Sequence, residues 1–215
     1  MIEVGGALLA GAALGPAVNV WVTRQLARRG LGRSPAWRSA IRWMLPAVLG
    51  VGWAAMWSTM GWTAVLPAHL AWFTVTSALV VTDLEHKLIP NSILYPGTAV
   101  TATLLSVGAF VDPASGRMGT AVAGAVVSLV GMGLLEVAGK GALGMGDVKL
   151  SVLLGLVCGF RGVVVAVQAI LYGFLIGGGM AVILLLTRRA HRRTQMPFAP
   201  ALVVGAWLAL FGSAV

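Results

Sequence analysis

The run GVVVAVQAILYGFLIGGGMAVILLL, residues 162–186, contains no charged side chain and exceeds the ~20 apolar residues that a helix needs to cross the hydrocarbon core of a bilayer. Lipid offers no hydrogen bonds to a bare backbone, so a continuous apolar run of this length crosses as a helix. Further runs lie on both sides: Val4 to Val22, Trp43 to Leu66, Ala68 to Thr82, Ile93 to Val111, Thr120 to Val137, Val148 to Phe160, and Phe198 to Phe211. Ala68 to Thr82 and Val148 to Phe160 are short, and each touches an aspartate at one end. The expected fold is all-α, a polytopic membrane helical bundle of about eight transmembrane helices, with about six to eight compatible with the run lengths. Composition agrees: the 215 residues are 59% hydrophobic and 10% charged, where soluble domains carry roughly a quarter charged residues. One integral-membrane domain is expected over residues 1–215, with residues 24–42 as a short basic linker on the cytoplasmic side.

A net charge of +9 raises nucleic-acid binding as a possibility, but the basic residues fall in short clusters at the ends of apolar runs. That distribution is a topology signal, and the expected partner is the lipid bilayer, with no nucleic acid. With eight spans and an outside N-terminus, the inner loops hold Arg24, Arg28, Arg29, Arg33, Arg38, Arg42, Lys87, Lys140, Lys149, Arg188, Arg189, Arg192 and Arg193. Only Arg117 and Arg161 are left outside. The first 23 residues lack a basic n-region and read as a retained helix. The single cysteine, Cys158, excludes an internal disulfide or a four-cysteine zinc site and reads as packing. Glycines such as Gly5, Gly6, Gly11, Gly15, Gly173, Gly177, Gly178 and Gly179 read as sites of close helix approach.

The chain has six acidic residues: Glu3, Asp83, Glu85, Asp112, Glu136 and Asp147. Glu3 is terminal, and Asp112 opens the turn-like Asp112-Pro113-Ala114-Ser115-Gly116. An ionisable group inside a membrane helix costs about 2.5–3.5 kcal/mol on insertion scales, so an acid bordering an apolar run needs interface exposure or a task. Asp83 sits where a span gives way to a polar turn leading to Pro90, and Asp147 sits behind Gly144 and Gly146 at the entry to another span. Both are expected at the same, cytoplasmic, side. Glycines there permit unusual backbone angles and the close approach of another chain. From the residues alone two readings stand, a catalytic carboxylate pair or interface aspartates capping helices, with Asp147 near an N-cap position.

The stretch Asp83-Leu84-Glu85-His86-Lys87-Leu88-Ile89-Pro90-Asn91 resembles the first catalytic motif of the prepilin peptidases, and Gly144-Met145-Gly146-Asp147-Val148-Lys149-Leu150 resembles their second, the GxGD signature. Gly11 to Arg24, with Asn19 and Val20, and Pro197-Phe198-Ala199-Pro200 are similar to two flanking family segments. The resemblance implies a membrane aspartic endopeptidase of the cell membrane of a prokaryote, cutting the short basic leader from prepilins or pseudopilins at the cytoplasmic face. It implies Asp83 and Asp147 as the catalytic pair, and Gly144, Gly146, Lys149, Glu85, Pro90 and Asn91 as residues that bind substrate or shape the site. No cofactor and no metal are expected. Bifunctional members carry a zinc-binding insert after the first helix, associated with N-methylation; this chain has the basic stretch Arg24 to Arg42 there and resembles the compact peptidase-only branch.

Two carboxylates sharing a site cannot both stay ionised, so one can activate water while the other polarises the scissile carbonyl. Lys149 or Lys87 could meet an acidic group of the substrate, while Lys149, next to Asp147, suits equally well snorkelling to headgroups or tuning the aspartate. Glu85 either assists the site or is solvated in the turn, Glu136 is at helical spacing from Lys140, and Asn19 suits a hydrogen bond between helices. His86, His69 and His191 are expected on different sides and not at one metal. Two alternatives of other classes are a small ion- or proton-coupled transporter and a non-enzymatic subunit of a pilus or secretion assembly. A transport pathway calls for ionisable groups at mid-membrane depth, whereas nearly all of these lie at one face. The sequence fixes neither the particular pilin nor the oligomeric state.

Overall fold

The computed structural model describes residues 2–140, 143–187 and 196–213. Eight α-helices follow one another: α1 (Ile2–Ala27), α2 (Pro35–Met60), α3 (Leu66–His86), α4 (Asn91–Val111), α5 (Met118–Ala138), α6 (Met145–Arg161), α7 (Val163–Leu186) and α8 (Ala199–Gly212). A 3-10 turn, Pro113–Ser115, joins α4 to α5, and Asp112 Oδ1 accepts from Ala114 N at 3.2 Å as its sequence setting suggests. Among the described residues there is no strand. The basic group Arg188, Arg189, His191, Arg192 and Arg193 lies outside the described residues.

Helix ends depart from the ends of the apolar runs in both directions. Much of the supposed basic linker is helical: Arg24 lies in the last turn of α1, and Arg38 and Arg42 ride on α2, leaving residues 28–34 as the connection. Ser34 Oγ accepts from Trp37 N at 3.3 Å and so caps the first turn of α2. At its other end α2 stops at Met60, because Gly61 turns to φ 59°, and Leu66 already belongs to α3. α3 runs on through Asp83 to His86 and is ended by Lys87 at φ 52°. Loss of apolar residues marks where hydrocarbon ends; the backbone goes on bonding to itself until a residue leaves helical space.

Among the described residues five helices, α1, α2, α4, α5 and α7, are long and apolar enough to span a membrane, and the protein is a polytopic helical membrane protein. α7 is the most lipid-like, since only 11% of its most apolar window is buried against protein. α6 is the opposite: from Asp147 to Phe160 nearly every side chain is buried, as expected of a helix enclosed by others. α3 carries hydroxyls that fold back on their own helix, Thr74 to Leu70 O at 2.8 Å, Thr76 to Trp72 O at 2.9 Å and Thr82 to Leu79 O at 2.9 Å, which satisfies them without water. The two helices with the candidate aspartates are thus the short or polar ones, and enclosure by protein rather than apolar length accommodates them.

The chain forms two compact units, one of Met1–Glu85 with Pro90–Ser115, the other of His86–Ile89 with Gly116–Val215. In the first, glycines seat helix on helix: a Cβ at Gly11 would come within 2.5 Å of Leu49 O, one at Gly15 within 2.5 Å of Pro46, and one at Gly52 within 2.1 Å of the Phe73 ring. Trp53 Nε1 donates to Thr74 Oγ1 at 3.2 Å and ties α2 to α3. In the second unit α5 and α6 meet through Gly124, Gly155 and Gly159, α7 and α8 through Gly173 and Gly205, and Cys158 is buried with Sγ 3.8 Å from Ala206 O. Gly5, Gly6, Gly178 and Gly179 have no atom within 4 Å of an added Cβ, so the expected close approach holds for Gly11, Gly15, Gly173 and Gly177 and not for these.

Candidate active site

Asp83 lies in the last turns of α3 and is buried, with 5% of its surface exposed. It does not open a turn, because its backbone is helical and the polar turn begins at Lys87. Two residues further on, Glu85 Oε2 lies 3.1 Å from Arg33 Nε, and the two side chains are only 4% and 2% exposed. Arg33 Nη1 donates to Asn19 Oδ1 on α1, and Arg38 Nε donates to Arg33 O at 3.0 Å. Burial holds the Arg33 guanidinium below its ordinary pKa, Glu85 pulls in the opposite direction, and Arg38 adds to the lowering.

This network corrects two readings. Glu85 is an enclosed ion-pair partner and not a solvated turn residue, and Asn19 bonds to the α1–α2 connection and not to a neighbouring helix. The pairing escaped sequence reasoning because Arg33 sits among identical-looking arginines, and only tertiary structure singles one out. A polar Asn19 within an apolar helix was the one available hint.

In the second unit Gly144 is the N-cap of α6, and Met145, Gly146 and Asp147 form its first turn, with Asp147 N bonded to Gly144 O at 2.9 Å. Asp147 is therefore inside the helix rather than at the N-cap, in the first turn where the peptide dipoles favour a negative charge. It is 9% exposed. Gly144 has ordinary extended angles, φ −72° and ψ 134°, and Gly146 is not among the residues with positive φ, so unusual backbone geometry is not what the motif's glycines supply. They supply proximity. A Cβ on Gly146 would stand 3.1 Å from Ile89 Cβ, and one on Gly144 would stand 3.0 Å from Asp147 Oδ2.

Ile89 of the first motif thus packs on Gly146 of the second, within one unit. Pro90 is buried at the start of α4, Asn91 begins that helix half-exposed, Lys149 is half-buried on α6, and Lys87 is exposed. Asp83 and Glu85 belong to the first unit and Gly144, Gly146, Asp147 and Lys149 to the second. Lys140 turns left-handed past the end of α5, at φ 53°, and leaves the helical register that its spacing from Glu136 assumed. His69 Nδ1 is 2.9 Å from Val65 O in the turn just before α3, and His191 lies outside the described residues.

These features define a helical membrane protein with two buried aspartates, each in a motif at the end of an enclosed helix. The chain belongs to the type IV leader peptidase family, whose pattern matches residues 68–185 and so takes in both motifs. It is 31% identical over 172 residues to the prepilin leader peptidase/N-methyltransferase of Aeromonas hydrophila, covering 78% of this chain and 56% of that protein. The protein of the same name from Stutzerimonas stutzeri is 27% identical over 159 residues, 74% of this chain and 53% of its own length. That of Pseudomonas putida is 29% identical over 203 residues, 89% of this chain and 66% of its own. The chain spans about half the length of the first two relatives. No solved structure matches it.

Proposed function

We propose that this protein is an aspartic endopeptidase that removes the short basic leader from prepilins or pseudopilins at the cytoplasmic face of a prokaryotic cell membrane. The observation that carries the reading is that the family's matched region contains two complete motifs, each with a buried aspartate, and that Ile89 of one motif rests on Gly146 of the other. In this reading Asp83 and Asp147 act as a unit: one carboxylate takes a proton from the attacking water while the other, protonated, polarises the scissile carbonyl. Close carboxylates share one proton because two negative charges repel, and no metal is required for this chemistry. The reading is confined to peptide hydrolysis, since the stretch between α1 and α2 holds no pair of cysteines with which to bind zinc.

The test is purified protein in liposomes with a full-length prepilin, the products read by mass spectrometry. A new N-terminus at the junction of basic leader and apolar helix is expected; an intact substrate, or cleavage elsewhere, refutes the reading. In this reading Lys149 contacts an acidic group near the start of the mature substrate. Lys149→Met is expected to raise KM by about two- to fivefold with kcat nearly unchanged, the size of a partly exposed ion pair. A change confined to kcat removes Lys149 from substrate binding.

A further inference from the structure

A cation and an anion enclosed together are costly to desolvate, and such a pair holds only where its geometry is fixed. Arg33 meets that condition from three sides. Its Nε faces Glu85 on α3 at 3.1 Å, its Nη1 donates to Asn19 on α1, and its carbonyl accepts from Arg38 on α2 at 3.0 Å. The planar guanidinium serves two partners at once through a rigid fork, which a lysine ammonium on a flexible stem does not. Glu85 is two residues from Asp83 on the same helix, which ends at His86, and helix ends as a class are prone to fray. A terminal turn is the least secure part of a helix, and here an ion pair from a separate segment fastens it.

We propose that Arg33 is a positioning residue for the Asp83 segment: acting through Glu85, it holds the last turn of α3 so that the Asp83 carboxylate keeps one orientation. The basic connection between α1 and α2 is then a strap on the candidate catalytic helix and not a spacer. This rests on the peptidase reading for its consequence in catalysis, while the strap itself is a property of the fold. Misplacement of a reacting group by an ångström lowers kcat without weakening substrate binding, and that is the signature the strap predicts.

The experiment uses Arg33→Met, Arg33→Lys and the double variant Arg33→Met with Glu85→Met, each compared with wild type in cleavage kinetics. In parallel, a nitroxide on Leu84→Cys reports backbone motion; Leu84 is 42% exposed and the native Cys158 is buried, so labelling is selective. Arg33→Met is expected to lower kcat by about 10- to 100-fold with KM nearly unchanged, and to loosen the label. The double variant removes both charges and with them the penalty of an unpaired one, so it recovers thermal stability; kcat stays low and the label stays mobile. Arg33→Lys keeps the charge and falls between. If Arg33→Met does not fold, the other two carry the same comparison. The proposal is overturned by a label as immobile in the double variant as in wild type, or by kcat that recovers along with stability. Should wild type cut no prepilin, the peptidase reading fails, and the label comparison still decides whether Arg33 holds the end of α3.

Discussion

Asp83→Asn and Asp147→Asn are each expected to lower leader cleavage by at least ~10²-fold, the scale of a lost general acid or base, while leaving the fold in place. Asparagine keeps the volume and most of the hydrogen-bonding capacity of aspartate, so buried positions 83 and 147 tolerate it better than alanine. The more discriminating comparison is the double variant. If the two carboxylates work as one acid–base unit, either substitution removes the whole of it, and the double variant is no slower than the worse single one. Multiplying effects, with a double variant ~10⁴-fold down, would show two independent contributions instead. Cleavage retained by both folded single variants would make the aspartates structural and remove the mechanism altogether. Melting in detergent, followed for all three, separates loss of chemistry from loss of fold.

The second large effect concerns the joint between α5 and α6. A Cβ at Gly155 would stand 2.4 Å from Ser128 Oγ and 2.5 Å from Gly124 O, and one at Gly159 would stand 2.7 Å from Thr120 O. Backbone oxygens cannot swing aside as a side-chain tip can, so the helices must part. Gly155→Leu is expected to destabilise by at least about 3 kcal/mol, the upper range of overpacking, and to deplete folded protein on expression. Gly178→Ala is the matched control: an added Cβ there meets nothing within 4 Å, and the change stays within about 1 kcal/mol, favouring helix if it acts at all. Equal stability of the two variants would refute the close α5–α6 contact.

How far the sequence carried the reading differs from one residue to another. The apolar runs disclosed each of the eight helices of the described residues, because hydrocarbon thickness imposes a length that periodicity need not specify. Their ends were misplaced at α2 and α3, since hydropathy reports the solvent boundary and helix ends are set by Gly61 and Lys87 leaving helical space. Asp83 and Asp147 stood out because acids are scarce in this chain, and scarcity is visible without coordinates. Glu85 and Arg33 were not legible: an ion pair between distant segments depends on which arginine the fold turns inward, and neither spacing nor composition encodes that choice. Nor was the role of Gly146, whose angles are ordinary and whose smallness matters only once Ile89 is known to lie against it.

That contact has a further consequence, for tolerance to sequence change. With Ile89 seated on Gly146, position 146 has room for a hydrogen and for little more. Lys87 already adopts the left-handed backbone that glycine takes without strain, so Lys87→Gly fits the existing path. A branched side chain at position 146, by contrast, would have to displace Ile89, whose Cβ lies 3.1 Å from where the added Cβ would stand.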